Sequence, residues 1–172
     1  METKFVRYPL PSLRKTCREV EFPLSDVVKN HIDQLKFALA STPNGVALAS
    51  NQLIEDGWKI FVVKQGLDVD LPQVVVNPSW EPTEESTVIA KEEGCLSIPN
   101  FGALIPRHSK VRLTYVDEQG KPDSYVVLTE LGSRIVQHEC DHLSGKVIID
   151  KLDKRSQIRA YNDILRRRKR GQ

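Results

Sequence analysis

The sequence contains few cysteines and no long apolar segment. Its three cysteines, Cys17, Cys95 and Cys140, are odd in number and widely spaced. This pattern argues against a disulfide framework and predicts a reducing compartment. No apolar run approaches the ~20 residues that span a membrane, and residues 1–5 lack the apolar region of a signal peptide. We therefore expect a cytoplasmic protein without a membrane-spanning segment.

With 172 residues, of which 40% are hydrophobic, the composition predicts one domain over residues 1–172.

The charge is unevenly distributed along the chain. The formal net charge is only +2, yet residues 151–172 contain nine Lys or Arg against two Asp. This basic end, with a tail at about 166–172, could bind nucleic acid or another acidic surface. A solvated helix end with a frayed tail explains it equally well.

Histidine is also scarce, and two of the four histidines form a pattern that is typical of a metal site. His138 and His142 are four residues apart, so on a helix both imidazoles lie on one face and can reach a single ion. Glu139 would lie about 100° from His138, close enough to contact a water near that ion. Two core histidines are the alternative, but their spacing around a glutamate favours the metal site.

Hydrophobic periodicity predicts three helices and five strands. The helices begin at Ser25 or Asp26, at Thr129 and near Arg155, and they end near Ser41, at Ser144-Gly145 and near Arg168. The predicted strands are Trp58–Val63, Gln73–Asn77, Ser86–Glu93, Val111–Val116 and Ser124–Leu128, the last two forming a hairpin. The histidine motif therefore falls on a helix, which should pack against a sheet. His31, beside the apolar stripe of the first helix, is interpreted as a surface or boundary residue.

A catalytic site of the zinc type needs a third protein ligand. No His or Glu follows His142, and the later aspartates match no established spacing, so the ligand should come from upstream. Cys95 follows a predicted strand and a glycine, and a thiolate is a strong ligand for Zn(II) or Fe(II). A lone cysteine is more often a small buried apolar residue. Cys140, about 200° from His138 on the helix, is assigned to the core.

Three segments, Gly45–Gln52, Glu93–Ser97 and His138–His142, resemble in this order the motifs of the peptide deformylases, metal hydrolases that remove the N-terminal formyl group from nascent bacterial and organellar proteins. Glu93-Gly94-Cys95-Leu96-Ser97 and His138-Glu139-Cys140-Asp141-His142 match the second and third family motifs. The first, Gly-x-Gly-Leu-Ala-Ala-x-Gln in the family, is Gly45–Gln52 here, with Ala47 and Ser50 as departures. The N-terminal arm and Leu104–Arg107 are also similar to the family, so the resemblance covers nearly the whole chain.

The resemblance implies an α+β fold, in which antiparallel β-sheets pack around a central helix carrying the HExxH metal motif, with a C-terminal helix. It implies that Cys95, His138 and His142 bind one divalent ion. Fe(II) is the usual native ion of the family, and Zn(II) or Ni(II) can occupy the site in preparations. The substrates would be N-formyl-methionyl nascent peptides, and we expect a monomer.

The resemblance also implies catalytic and substrate-binding roles. Glu139 would transfer protons, while the Gln52 amide and the backbone N–H of Leu96 would stabilise the oxyanion that forms at the formyl group. The substrate would contact Gly45, Val46, Ala47, Gly94, Leu131, Arg134 and Ile135. An ion pair between Arg107 and Asp141 is expected to brace the metal helix.

Two further hypotheses stay open at this point. Because Ala47 and Ser50 depart from the family motif, the chain could be a related amidase with altered acyl or peptide selectivity. Because the C-terminus is basic, it could instead be a ribosome-associated binding protein with a structural metal site. Against the latter, structural zinc sites usually have four protein ligands, and only three are identified here. Ribosome contact through the basic end is compatible with either enzyme hypothesis.

Overall fold

The structure is a computed structural model that describes residues 4–170, so Met1–Thr3 and the last two residues of the basic tail lie outside the described residues. Within this range the chain forms three α-helices and seven strands. The helices are α1 (Asp26–Ala40), α2 (Glu130–Leu143) and α3 (Lys154–Lys169). The strands are β1 (Ala47–Ala49), β2 (Ile60–Val63), β3 (Val74–Pro82), β4 (Val88–Cys95), β5 (Ile98–His108), β6 (Val111–Val116) and β7 (Pro122–Val127).

The strands form two antiparallel sheets. A five-stranded sheet has the order β1-β2-β3-β6-β7, and β4 and β5 form a separate two-stranded sheet. Every strand pair is antiparallel. The predicted α+β architecture, with antiparallel sheets, a central helix and a C-terminal helix, is confirmed.

The five-stranded sheet is buried on both faces where its first three strands lie. Successive residues of a strand point to opposite faces, and β2 accordingly divides its side chains between two cores. Ile60 and Val62 pack with α1, whereas Phe61 and Val63 pack with α2. This double burial explains why β2 reads as a continuous apolar run. A third cluster joins α3 to β5 through Ile164, Ile105 and their neighbours.

The sequence predicted the helices more closely than the strands. All three predicted helices are present, with ends within about two residues of those expected. Two strands were missed. β1 is only three residues long, and β5 contains Pro99, Gly102 and Pro106, which argue against a strand when read along the sequence. β5 tolerates these residues because it is an edge strand, which pairs only with β4 in the described two-stranded sheet.

The interpretation of His31 as a surface or boundary residue is wrong. Its side chain is buried, and its Nε2 lies 2.7 Å from Ser50 Oγ. Burial lowers the pKa of His31 to about 4, so the imidazole is neutral near pH 7. Ser50 Oγ also accepts a hydrogen bond from the Trp58 backbone N–H at 3.0 Å. His31 therefore joins α1 to the segment that follows β1.

None of the helices in residues 4–170 has the length and apolar character needed to cross a membrane.

Candidate metal centre and active site

Helix α2 has a defined beginning and end, which fix the position of its histidines. The Thr129 side chain accepts a hydrogen bond from the Gly132 N–H at 3.2 Å and so caps the first turn. The helix stops at Gly145, whose φ of +73° is accessible to glycine at little cost. A Cβ at this glycine would collide with the backbone oxygen of Arg14. Between these ends, the rings of His138 and His142 lie 5.0 Å apart on one face.

Cys95 completes a group of three ligand side chains. The ligand atoms of Cys95, His138 and His142 all lie within 4.8 Å of one another. Cys95 arrives from the end of β4, where the pairing with β5 shifts register between Gly94 and Cys95. Its Sγ lies 3.2 Å from His142 Nε2. A thiolate and two imidazoles at these distances match the donor set that Zn(II) or Fe(II) accepts in a catalytic site.

Glu93 orients the first histidine from behind. Its Oε2 lies 3.2 Å from His138 Nδ1, which leaves Nε2 directed towards the other two ligands. Arg107 donates two hydrogen bonds of 3.0 Å to the same carboxylate, and Arg134 donates a third at 3.0 Å. Burial opposes ionisation of Glu93, but the hydrogen bonds from His138 and Arg107 prevail and lower its pKa to about 2. Glu93 is therefore a fixed negative charge beside the site.

The surroundings of His138 favour a positive charge between the ligands. Burial alone would lower the pKa of His138, yet Cys95 and Glu93 raise it to about 10. His142 shows the opposite effect, since burial and the charge of His138 lower its pKa well below the usual value. Its buried Nδ1 has no hydrogen-bond partner among the described residues. A divalent cation would supply the positive charge that this cluster favours, so the residues fit a metal ion.

Glu139 is a buried carboxylate beside the three ligands. Burial raises its pKa to about 7, although the positive charges of His138 and Arg107 oppose this shift. Its Oε2 has no hydrogen-bond partner among the described residues, so one oxygen is available to a reacting group. A carboxylate whose pKa lies near the working pH is well suited to accept and return a proton.

The side chain of Gln52 is held with its amide N–H towards the ligands. Its Oε1 accepts a hydrogen bond from the Ala49 N–H at 2.9 Å, which fixes the orientation of the amide. Its Nε2 then donates to Ser97 Oγ at 3.2 Å and lies 3.7 Å from Cys95 Sγ. The N–H group is therefore a fixed donor at the edge of the ligand cluster, as electrostatic stabilisation of a developing negative charge requires.

A groove of about 1050 Å³ runs past these side chains. Cys95, His138, Glu139, Gln52 and Leu96 contribute to its walls. All the residues predicted to contact substrate also line it: Gly45, Val46, Ala47, Gly94, Leu131, Arg134 and Ile135. Ser50 lies elsewhere, with its hydroxyl against His31. Strand β1 is an edge strand of its sheet, so its second edge offers backbone groups to an extended chain in the groove.

The charge network behind the site was only partly anticipated. The ion pair between Arg107 and Asp141 is present, and Lys151 reaches the same aspartate at 2.9 Å. The role of Glu93 was missed, although it stands in the Glu93–Ser97 motif. In a strand, residues two apart point to the same face, so Glu93 is expected on the same face as Cys95. This spacing was the signal that could have identified Glu93. The network ties α2 to β4 and β5 and so joins the two sources of ligands.

The antiparallel sheets pack around a helix that supplies two histidines and a buried glutamate, and a neighbouring strand supplies a thiolate. Together these features define a metal-dependent hydrolase. The family described as polypeptide deformylase matches residues 2–157. The chain belongs to that family.

Individual relatives and solved structures support this assignment. A peptide deformylase from Pseudomonas aeruginosa is 36% identical over 156 residues, which cover 90% of each chain. A protein named peptide deformylase 2 from Vibrio vulnificus is 35% identical over 163 residues, covering 94% of this chain and 92% of the relative. The crystal structure of a peptide deformylase from Legionella pneumophila has a TM-score of 0.82 at 25% identity, covering 98% of this chain and 96% of the other. A Plasmodium falciparum peptide deformylase in complex with an inhibitor has a TM-score of 0.78 at 29% identity, covering 95% and 99%.

Proposed function

We propose that this chain hydrolyses the formyl group from N-formyl-methionyl nascent peptides and releases formate. The observation that carries the proposal is Glu139, a buried carboxylate with a free oxygen beside three ligand atoms in a peptide-sized groove. Membership of the polypeptide deformylase family supports the same reaction. The presence of Glu139 and Gln52 gives the site acid–base and donor groups that a purely structural metal site in a binding protein does not need.

We propose Fe(II) as the native ion, with Zn(II) or Ni(II) able to replace it. Cys95, His138 and His142 would hold the ion, and a three-ligand set leaves a position open for chemistry. When bound, a divalent ion supplies Lewis acidity that lowers the pKa of water towards about 7. The mixed nitrogen and sulfur donors are compatible with all three ions.

Glu139 would act as the acid–base group. Its carboxylate accepts a proton from the attacking water and then delivers it to the leaving amine. Attack on the formyl carbon produces an oxyanion, and Gln52 Nε2 would donate a hydrogen bond to it together with the backbone N–H of Leu96. Loss of one such donor typically lowers the rate by about 10²–10³-fold. Gln52 needs little reorganisation for this role because its amide is already held by Ala49 and Ser97.

The groove would bind the peptide in an extended conformation. Gly45, Val46 and Ala47 would pair with it along the free edge of β1, and Gly94 would approach it from the opposite wall. Leu131 and Ile135 would border the methionine side chain. Arg134 would contribute only its aliphatic stem, because its guanidinium is engaged by Glu93 and by the Ile89 and Ile105 carbonyls.

The partners and location follow from this substrate. Nascent formyl-peptides emerge from ribosomes, so we propose a cytoplasmic enzyme that acts as a monomer near the ribosome. Helix α3 and the arginine that follows it support ribosome contact, since they carry seven exposed basic side chains: Lys154, Arg155, Arg159, Arg166, Arg168, Lys169 and Arg170. Phosphate groups of RNA are the acidic surface that such a cluster would bind.

A related amidase with altered selectivity is the second candidate, and Ala47 favours it. Ala47 lines the groove, whereas Ser50 does not, so only the first departure from the family motif can contact a substrate directly. The test is turnover of formyl-Met and acetyl-Met peptides of the same sequence by the metal-loaded enzyme. We expect release of formate and little or no release of acetate. Faster release of acetate would contradict the proposed function and support the alternative.

A further inference from the structure

Arg7 is directed into the groove by the pairing of the N-terminal arm. The backbone N–H groups of Val6 and Tyr8 donate to the carbonyls of Gln52 and Ser97, at 2.8 and 2.9 Å. The arm is thus extended between the two segments that contribute Gln52 and Cys95. In an extended chain, alternate side chains point in opposite directions. Val6 and Tyr8 pack into the cluster beneath β5, and the side chain of Arg7 between them lines the groove.

The guanidinium of Arg7 has no carboxylate partner in residues 4–170. It donates a hydrogen bond from Nη1 to the Leu96 carbonyl, and it lies over the Phe5 ring at 5.6 Å. Both contacts hold the side chain in place without neutralising its charge. The side chain is half-buried, so its field in the groove is screened less than that of a fully exposed arginine.

The other charged groups of the groove are paired, belong to the proposed reaction or are exposed to solvent. Arg134, the second arginine in its walls, is paired with Glu93 at 3.0 Å. Glu139 belongs to the reaction. Glu92 lies on the opposite wall, on β4, where its carboxylate covers Gly102 and is exposed to solvent. Within the described part of the chain, Arg7 is therefore the one arginine of the groove whose charge is not used by the protein.

We propose that Arg7 is a specificity-determining residue, which favours formyl-methionyl peptides with an acidic side chain at the second or third position. A guanidinium can hold a carboxylate by charge-assisted, bidentate hydrogen bonds, and Nε and Nη2 of Arg7 have no hydrogen-bond partner among residues 4–170. Because the site is open to water, the gain is that of a partly exposed ion pair, about three- to fivefold in kcat/KM. This inference rests on the proposed function.

The test is kcat/KM for two peptide series, formyl-Met-Ala-X-Ser and formyl-Met-X-Ala-Ser, with X as Glu, Gln or Lys. For the metal-loaded wild type we expect kcat/KM to decrease from Glu to Gln to Lys in at least one series, by about threefold at each step. Raising the salt concentration to about 0.5 M should reduce these ratios by screening. Arg7→Gln should remove the preference, Arg7→Lys should keep its direction, and Arg7→Glu should reverse it.

A substitution at Arg7 could slow the hydrolysis of every peptide through the lost contact with Leu96. The kcat/KM ratios between peptides of one series are unaffected by this, because the effect is common to all of them. Glu92→Gln is the matched control in the same groove, and it should keep or increase the preference for Glu. Equal kcat/KM values for Glu, Gln and Lys in both series, or a preference that persists in Arg7→Gln, would overturn the inference and leave the proposed function intact. Absence of formate release from every peptide would overturn the proposed function and this inference with it.

Discussion

Glu93 connects the metal ligands to the rest of the protein through a single carboxylate. It contacts His138 on one side and Arg107 and Arg134 on the other, all at 3.0–3.2 Å. A second carboxylate, Asp141, then binds Arg107 from the metal helix itself. An ion bound at His138 therefore depends on a buried charge network as well as on its three direct ligands.

Replacement of Glu93 should weaken metal binding. Glu93→Gln removes the negative charge that lies beside His138 and takes one carboxylate partner from each of two buried arginines, so we expect a 10–100-fold loss of metal affinity. The variant should also unfold at a lower temperature. Metal competition with a chromogenic chelator measures the first effect. Glu92→Gln, one residue away on the exposed face, is the control and should bind metal as the wild type does. Unchanged affinity in Glu93→Gln would remove Glu93 from the account.

His31 should make stability depend on pH. Burial lowers its pKa in the folded protein to about 4, against about 6.5 when unfolded, so the unfolded chain binds the extra proton as the pH falls. The free energy of unfolding is therefore unaffected by His31 above about pH 6.5 and falls by about 3 kcal/mol as the pH drops from 6.5 to 4. We expect His31→Gln to lose less stability than the wild type between pH 7.5 and 4.5 in urea unfolding. Parallel losses in both proteins would contradict the prediction.

Individual residues could be predicted where chemistry restricts the choice. Cys95 was found because a metal site with two helical histidines needs another ligand and the downstream sequence offers none with a suitable spacing. Glu93 and His31 were not found, because a buried carboxylate and a buried neutral imidazole look like surface residues in a sequence. Their environments depend on Arg107, Arg134 and Ser50, which are brought to them only by the fold.

At the scale of elements, α2 connects the metal centre to the N-terminal arm. Its last turn ends at Gly145, against the backbone of Arg14, and the Cys17 N–H donates to the Leu143 carbonyl at 2.9 Å. The arm in turn contacts the Gln52 and Ser97 carbonyls. The end of α2 therefore fixes the position of the histidines relative to the Gln52 amide.

Two glycines allow the packing at the C-terminal end of α2 to be tested. Gly145 and Gly66 both have positive φ, +73° and +81°. A Cβ added at Gly145 would collide with the backbone of Arg14, whereas a Cβ added at Gly66 would meet no atom within 4 Å. Gly66→Ala should cost only the left-handed strain of about 1–2 kcal/mol, which lowers Tm by about 2–8 °C. Gly145→Ala should cost at least about 3 kcal/mol, because the clash cannot be relieved by a side-chain rotation. Thermal unfolding measures both, and equal shifts would contradict the packing of α2 against Arg14.

The helices could be predicted because their apolar stripes and caps are local signals. Val28, Ile32, Leu35 and Leu39 recur at helical spacing, and all are buried. β5 could not be predicted because Pro99, Gly102 and Pro106 disfavour a strand unless the partner is known. Its pairing with β4, from Val88 with His108 to Cys95 with Ile98, is a contact between segments and outweighs these local preferences.

At the scale of the whole molecule, the charged side chains form a buried group beside the candidate metal centre and an exposed basic group on α3. Glu93 and Arg134 line the groove and belong to a buried network with Arg107, whereas exposed basic side chains concentrate on α3. Ile164 and Ala160 anchor the other face of α3 in the core beneath β5. In the proposed ribosome contact, the exposed face of α3 would meet the acidic surface.

Removal of residues 166–172 should weaken ribosome binding and leave catalysis intact. The deletion removes five Lys or Arg residues, so co-sedimentation with ribosomes should fall and should become less sensitive to salt. kcat/KM on a short formyl-peptide should stay within about twofold, because none of the described residues of this segment, Arg166 to Arg170, lines the groove. Equal sedimentation of the deleted and full-length proteins at every salt concentration would rule out the tail as a ribosome contact.

The central claim is that one metal ion held by Cys95, His138 and His142 and one buried carboxylate, Glu139, together perform deformylation. The most direct measurement is formate release from a formyl-Met peptide by the wild type and Glu139→Ala, with metal content determined on the same samples. Both proteins should be purified without oxygen, since a thiolate ligand can be oxidised. We predict about one ion in each protein, and turnover at least about 10²-fold lower in Glu139→Ala. Full activity in that variant, or metal-free wild type that releases formate at the same rate, would contradict the account.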